Sequence, residues 1–272
     1  MELIIKPKKG LSGLDFNELW HYRELFYFLA WRDIKLRYKQ TVFGILWAVI
    51  QPFFTMLVFT VVFGKLVKVS SDNIPYPIFV YAGLLLWNIF STSLDNANQS
   101  LVGSANVIQK VYFPKIILPA ASIIVSLIDF LFAALIFGGI LFYYHFVPHI
   151  EGLLLLPLLL IITVLTSLGL GWFLSSFNVK YRDVRYILPF FLQLLIFITP
   201  VIYPISIIPK AYHWVLALNP MTGVIETFRA AFLGSVPIDW TTLAISSVAS
   251  VIFLILGLLY FLKTEKTFAD VI

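Results

Sequence analysis

Six stretches of this 272-residue chain run for more than twenty residues with no charge, or with one, and nothing else constrains its fold as strongly. They lie between Lys39 and Lys65, Asp72 and Asp95, Lys115 and Glu151, Glu151 and Lys180, Arg185 and Lys210, and Asp239 and Lys263. Asp129 is the single charge inside any of them. A bilayer core takes about 20 apolar residues per helix, so the intervals predict spans at 42–63, 78–99, 116–144, 153–177, 187–204 and 240–262. Lipid offers no partner to a free amide, and the runs are too long and too uniformly apolar for barrel strands. The expected fold class is an all-α polytopic membrane protein, one domain over 1–272.

Composition agrees: 60% of residues are hydrophobic and only 12% charged, against about 25% charged in a soluble domain. A water-soluble enzyme, a nucleic-acid module and a disordered chain are excluded. The net charge of +5 is unevenly spread. Eight basic residues precede span 1, two lie in the 2–3 loop, three in the 4–5 loop and two after span 6. Only Lys65, Lys68, Lys210 and Arg229 fall on the other side. This places both termini in the cytoplasm, and the basic excess marks that face, with no nucleic-acid partner implied. The chain has no cysteine, hence no disulfide and no thiolate ligand. The first forty residues lack the apolar core of a signal peptide, so span 1 is expected to be its own insertion signal.

Three segments are not spans. Residues 14–39 carry too many charges to cross, yet Leu19, Tyr22, Phe26, Leu29 and Ala30 share a helical stripe, and Asp15 with Glu18 resembles a capping box. This reads as an amphipathic helix in the headgroup plane. Arg32, Lys35 and Lys39 follow at i, i+3, i+7 as a basic row, for anchoring to anionic lipid or for contact with the phosphate of a lipid-linked substrate. The loop 103–114 is expected to hold a short helix capped by Asn106 and running to Tyr112, either a connector or a docking element. Residues 204–238 are apolar but broken by Pro204, Pro209, Pro220, Gly223, Gly234 and Pro237. Their pieces are too short to span, so a re-entrant hairpin over 205–235, dipping in from the outer side, is expected.

Catalytic motifs are missing. Gly64-Lys65 lacks the rest of a phosphate loop, and Gly169-Leu170-Gly171 suits helix packing. His145 and His149 flank Pro148 and read as a loop-surface pair, so no catalytic residue and no metal site is expected. Asp129 inside span 3 needs protein, water or a proton; a contact between helices, a subunit contact and a proton relay all remain open. Asp95, Asn96, Asn98 and Gln99 give span 2 a polar end, and Gln51-Pro52 predicts a kink in span 1. Trp47, Tyr81 and Trp87 offer flat apolar faces with polar tips, suited to sliding contact with sugars or to interfacial belts and packing.

The sequence Arg37-Tyr38-Lys39-Gln40-Thr41, leading to Gly44, Trp47 and Gln51-Pro52, resembles the start of span 1 in ABC-2-type polysaccharide-export permeases. Tyr181-Arg182-Asp183-Val184, Thr199-Pro200-Val201-Ile202-Tyr203-Pro204 and Leu218-Asn219-Pro220-Met221-Thr222, followed by Glu226 and Arg229, are similar to the same family. The resemblance implies a homodimer in the bacterial inner membrane, paired with two cytosolic ATP-binding subunits. It implies export of a lipid-linked polysaccharide, with ATP and Mg on the partner subunit and no cofactor in this chain. Under it, Asn106, Gln109, Lys110 and Tyr112 belong to a coupling helix, Pro204, Pro220, Glu226 and Arg229 to an outer gate, and 14–39 to an interface helix. Two copies would enclose a pathway lined by spans 1, 2 and 5, with Trp47, Tyr81 and Trp87 along it and Arg32, Lys35 and Lys39 at the carrier diphosphate. Two rival functions are an ABC-2 exporter of a drug or other lipid, and a proton-coupled flippase using Asp129. The lack of an obvious repeat between spans 1–3 and 4–6 disfavours the flippase.

Overall fold

The computed structural model of the chain describes residues 16–39, 46–234 and 236–268, and among these there are helices and turns but no strand. Asp15, Gln40, Thr41, Gly44 and the first residues of the expected span 1 lie outside the described residues. Helix α1 (Phe16–His21) leads into α2 (Arg23–Lys39). Helix α3 (Leu46–Phe59) runs on into a π-helical segment, Thr60–Leu66. Then follow α4 (Tyr76–Gly103), α5 (Ala105–Lys110), α6 (Ile117–Tyr143) and α7 (Ile150–Lys180). The chain closes with α8 (Val184–Ile198), α9 (His213–Ala217), α10 (Pro220–Leu233) and α11 (Trp240–Thr264).

Among the described residues, five segments are long and apolar enough to cross a bilayer: Leu46–Leu66, Tyr76–Gly103, Ile117–Tyr143, Ile150–Lys180 and Trp240–Thr267. They match five of the six expected spans. The sixth, expected over 187–204, is α8, which has 15 residues. At 1.5 Å per residue it is about 22 Å long, short of a hydrocarbon core of about 30 Å. It ends because Thr199 precedes Pro200: a residue before proline is pushed to extended backbone, and Thr199 has ψ 138. The Thr199 hydroxyl closes the end by donating to the Leu195 carbonyl at 2.8 Å.

Helix α4 is the least apolar of the five and the most buried, with 78% of its central window inside the protein against 11% for Leu46–Leu66. The solvent explains this inversion. A helix facing lipid must present hydrocarbon, whereas one facing protein can carry Ser, Asn and Gly. Helix α4 packs on α3, α6, α7, α8 and α10, and its Ile78, Val80, Leu84 and Leu86 join Phe137, Val224 and Phe228 in the main core. A second cluster lies at the α5 end of the bundle, where Leu29 and Ala30 meet Leu101, Ile108, Phe113, Ile117 and Phe261. Helices α7 and α11 approach so closely that a methyl at Gly257 would collide with the Gly169 carbonyl. Gly171 likewise faces Ala97, so the Gly-Leu-Gly run serves packing as its sequence suggested. Thr166 donates to Ser250 across the same seam at 2.9 Å.

Helix α2 departs from expectation. Its stripe does face the bundle, with Leu19, Tyr22 and Phe26 packed beside Leu29 and Ala30. The outward side is aromatic as well, however, with Trp20, Tyr27, Phe28 and Trp31 exposed. The helix runs along α6, from Leu29 beside Ile117 to Tyr38, whose ring meets Phe132 at 6.3 Å. A helix lying across the end of the bundle would not reach Phe132.

Between α8 and α11, helices α9 and α10 form two arms. Ser246 of α11 holds both: its hydroxyl donates to the Ala217 carbonyl at 2.9 Å and accepts the Gly223 amide at 3.1 Å. Ser246 lies six residues into α11, about 9 Å along its axis. The far end of α10 returns to the start of α7, where the His149 amide donates to the Phe232 carbonyl at 2.9 Å. Helix α10 begins on Pro220 behind the Asn219 cap and ends at Gly234 in the left-handed region.

Gly169→Ala should cost about 1–3 kcal/mol by over-packing, read as a lower apparent Tm in detergent. The same change at Gly138, where nothing lies within 4 Å, should not lower it. A second expectation concerns the start of α11, where Asp239 accepts the amides of Thr241 and Thr242 and the Thr242 hydroxyl. Burial pushes its carboxyl up, but these hydrogen bonds outweigh it and hold the group below its ordinary 3.8. A depressed carboxylate stabilises fully above its unfolded value and loses that contribution as pH falls through the folded one. Asp239→Ala should therefore cost about 1 kcal/mol near neutral pH, and its Tm gap from wild type should begin to narrow as the pH drops below 3.8 and close only below the folded value.

Candidate functional site

Asp129 lies twelve residues into α6, about 18 Å along its axis. A carboxylate at such depth costs about 2.5–3.5 kcal/mol on the insertion scale, and α2 supplies what it needs. Arg37 Nη2 sits 2.6 Å from Asp129 Oδ2, and the Tyr38 hydroxyl donates to Oδ1 at 2.5 Å. The pair forms one wall of a polar cleft between α3, α4 and α6, lined further by Gln51, Asn88, Thr92 and Ser126. Of the readings left open for Asp129, the structure shows the contact between helices. Arg37 and Tyr38 were not singled out from the sequence as its partners. The available signal was Asp129 itself, since an intramembrane carboxylate calls for a cation.

The basic row has separate partners. Arg32 pairs with Asp33 at 2.9 Å and its Nη2 donates to the Ser104 hydroxyl at 3.3 Å. The Lys35 ammonium lies over the Trp31 ring, 5.4 Å from its centroid, and Lys39 is exposed at the end of α2. At α5, the cap is Ser104 where Asn106 was expected, because the Ser104 carbonyl takes the amides of Val107 and Ile108. The helix ends at Lys110, before Tyr112. Ile108 is buried in the second cluster, while Asn106, Gln109, Lys110 and Tyr112 are exposed. The α1–α2 segment braces this loop at two points, through Arg32 of α2 on Ser104 and through the hydroxyl of Tyr22, in the turn before α2, which donates to the Tyr112 carbonyl at 3.3 Å. The same segment thus touches the exposed loop at one end and Asp129 at the other.

At the opposite end of the bundle, Arg229 is fully buried. Its guanidinium donates to the carbonyls of Phe79 at 3.0 Å, Pro200 at 2.6 Å and Val201. It stacks on the Phe79 ring, 3.6 Å from the centroid, and pairs with Glu226 at 3.4 Å. Gly83 leaves the space that this guanidinium fills. Pro204 and Pro220 are buried as well, and Glu226 is partly so. Of the four expected gate residues, Arg229 is therefore occupied with holding backbone. Asn219 adds a bond to Thr199 at 2.8 Å.

Of the uses left open for the three aromatic candidates, the structure shows packing for two. The Tyr81 side chain is buried, stacked on Phe137 with its hydroxyl on the Ala133 carbonyl, and Trp87 is buried against Phe90. Both belong to α4, the most buried of the five spans, and in one copy neither side chain has a face to offer a sugar. Trp47 is exposed. Exposed apolar faces lie on α3, with Phe54, Leu57 and Val58, on α8, with Phe190, Leu194 and Phe197, and also on α6, α7 and α11, with Leu135, Leu154 and Ile252. His145 and His149 are both exposed in the loop before α7.

Residues 24–233 match the model of the ABC-2 type transporter family. The chain is 27% identical over 241 residues to the O-antigen export system permease protein RfbA of Klebsiella pneumoniae, covering 89% of this chain and 92% of that one. It is 32% identical over 220 residues to the RfbA protein of the same description from Myxococcus xanthus, covering 79% and 83%. The polysialic acid transport protein KpsM of Escherichia coli is 25% identical over 243 residues, covering 86% and 91%.

Arg37→Gln should destabilise by about 2 kcal/mol, since it leaves Asp129 without its cation while the partly exposed site softens the loss. Adding Asp129→Asn should recover part of that cost, and a double-mutant cycle on apparent Tm reads the coupling. Arg229→Lys should cost about 3 kcal/mol, because one ammonium cannot reproduce the planar fork that reaches three carbonyls.

Proposed function

The chain belongs to the ABC-2 type transporter family, and from that premise we propose that it is the permease of an ATP-driven polysaccharide exporter. Permeases of this family are transport subunits, and the ATPase is a separate chain. The observation that carries the reading is similarity over most of both chains to two groups of relatives, one named for O-antigen export and the other for polysialic acid transport. Their cargoes differ, one O-antigen and the other polysialic acid, so the shared chemistry is a glycan polymer. In this proposal the glycan is carried on a polyprenyl diphosphate and moves outward across the bacterial inner membrane. Both termini lie in the cytoplasm, where fifteen of the nineteen basic residues would sit.

Two copies enclose the pathway in this reading, with α3 and α8 facing it. Both helices carry exposed aromatic faces, with Phe54 on α3 and Phe190, Phe191 and Phe197 on α8, whereas the exposed faces of α7 and α11 are largely aliphatic, and this supports the assignment. Helix α8 counts as the sixth span, its short length made up by the non-helical backbone that follows, which Arg229 keeps satisfied. The arms α9 and α10 dip in from the outer side as a re-entrant hairpin, with Pro204, Pro220 and Glu226 at the outer mouth. Lys35 and Lys39, with Arg32 beside them, meet the carrier diphosphate. ATP and Mg bind the partner subunit, which docks on Asn106, Gln109, Lys110 and Tyr112. Its movement reaches the membrane interior through α2, by way of Arg32 on Ser104 and Arg37 on Asp129.

Reconstitution with the ATP-binding subunit tests the reading. Transfer of lipid-linked glycan into proteoliposomes should require ATP, and transfer driven by a proton gradient alone would sink it. Substituting Asn106, Gln109 and Lys110 with glutamate should weaken association with the ATPase about tenfold, as expected for central contact residues. Unchanged co-purification and unchanged ATPase stimulation would remove α5 from the docking surface. Replacing Arg32, Lys35 and Lys39 with glutamine should lower export without affecting insertion.

A further inference from the structure

A groove of about 470 Å³ opens at the α5 end of the bundle, between the α1–α2 segment and helices α6, α7 and α11. This is within the range of ligand-sized pockets, about 300–1,000 Å³. Leu19, Phe26, Ile117, Ala120, Trp172 and Leu258 line it, and Arg23 is its one charged residue. Its polar capacity is almost nil. The only donor on the Trp172 ring is spent on the Ile116 carbonyl at 3.3 Å, and the other walls are hydrocarbon. A sugar or a polar amphiphile finds nothing to bond there.

Depth selects the occupant. Ile117 and Ala120 form the first turn of α6. Trp172 is eight residues from the end of α7, and Leu258 is six from the end of α11, about 12 Å and 9 Å along their axes. The groove therefore sits just inside the ends of three spans, at the boundary between headgroups and acyl chains. Arg23 stands at its rim, exposed, with its guanidinium 5.4 Å from the Trp20 ring centroid. It spends Nη1 on the Trp20 carbonyl at 3.3 Å, one of the five donors a guanidinium carries. Lys263 and Lys266 lie beyond Leu258 and outside the lining, so Arg23 is the cation the groove itself presents.

We propose that the groove is a binding site for an anionic phospholipid, with one acyl chain between α2 and helices α6, α7 and α11 and the phosphate at Arg23. The inference is independent of the cargo. Because the chain wedges against α2, the lipid fixes the helix that carries Arg32 to Ser104 and Arg37 to Asp129. The site thus couples membrane composition to the position of α2.

Native mass spectrometry of the purified protein, titrated with phosphatidylglycerol or phosphatidylcholine, tests this. Wild type should retain one tight phosphatidylglycerol per chain and prefer it over phosphatidylcholine. Arg23→Gln should reduce that preference about fivefold, the worth of one cation at an anionic surface. Ala120→Trp, which fills the groove, should remove the tight site for both lipids. Should Ala120→Trp fail to fold, quenching by phosphatidylglycerol brominated on its acyl chains decides: the difference between wild type and Trp172→Phe isolates Trp172, and it should be quenched. An unquenched Trp172, an unchanged lipid preference in Arg23→Gln, or displacement of the bound phospholipid by stoichiometric polyprenyl phosphate would each overturn the proposal.

Discussion

Where α8 stops at Ile198, the carbonyls of Pro200 and Val201 have no helical partner, and Arg229 takes both. Non-helical backbone survives at membrane depth only when protein satisfies it, and this guanidinium does so from a third helix while also capturing the Phe79 carbonyl of α4. Burying a cation is costly unless every donor finds an acceptor. Here two of the acceptors, the carbonyls of Pro200 and Val201, are groups that would otherwise be orphaned, so the two costs offset each other. The first turn of α4, the segment after α8 and the whole of α10 are thereby fixed to one another. Gly83 is part of the arrangement, since any side chain there would occupy the space of the guanidinium.

Midway along α6 the idea repeats with a different pair. Asp129 is buried by α6, and Arg37 with Tyr38 reaches it from α2. The pairing holds α2 along α6, while Arg32 earlier in that helix and Tyr22 just before it brace the α5 loop. Between these two polar anchors, the lipid-facing helices hold position by close small-residue seams such as Gly169 against Gly257. In a bilayer the hydrophobic effect does not distinguish a neighbouring helix from a lipid tail, so steric fit and polar pairing decide the packing.

Much of the fold was legible because lipid imposes a length and a composition on each span. The charge-free runs located five spans directly, and the Gly-Leu-Gly run was read as packing with good reason. The expected cap at Asn106 was off by two residues because short helices begin wherever a carbonyl can take the next amides, and Ser104 does so. Tyr81 and Trp87 looked like pathway residues because residue type alone does not say which way a helix faces. Their helix is the least apolar span, and that was a usable sign of burial, since a membrane protein hides its polar surface inside.

The sequence by itself determined the number and place of the apolar runs, the family, the distribution of basic residues and the need of Asp129 for a partner. Those properties follow from one-dimensional spacing against a slab of fixed thickness. The tertiary structure decided which cation answers Asp129, that Arg229 holds backbone, that α2 climbs along α6, and which helices keep their faces free. Each of these depends on contacts between residues 28 to 150 positions apart, and a single chain of letters does not encode rotation about a helix axis.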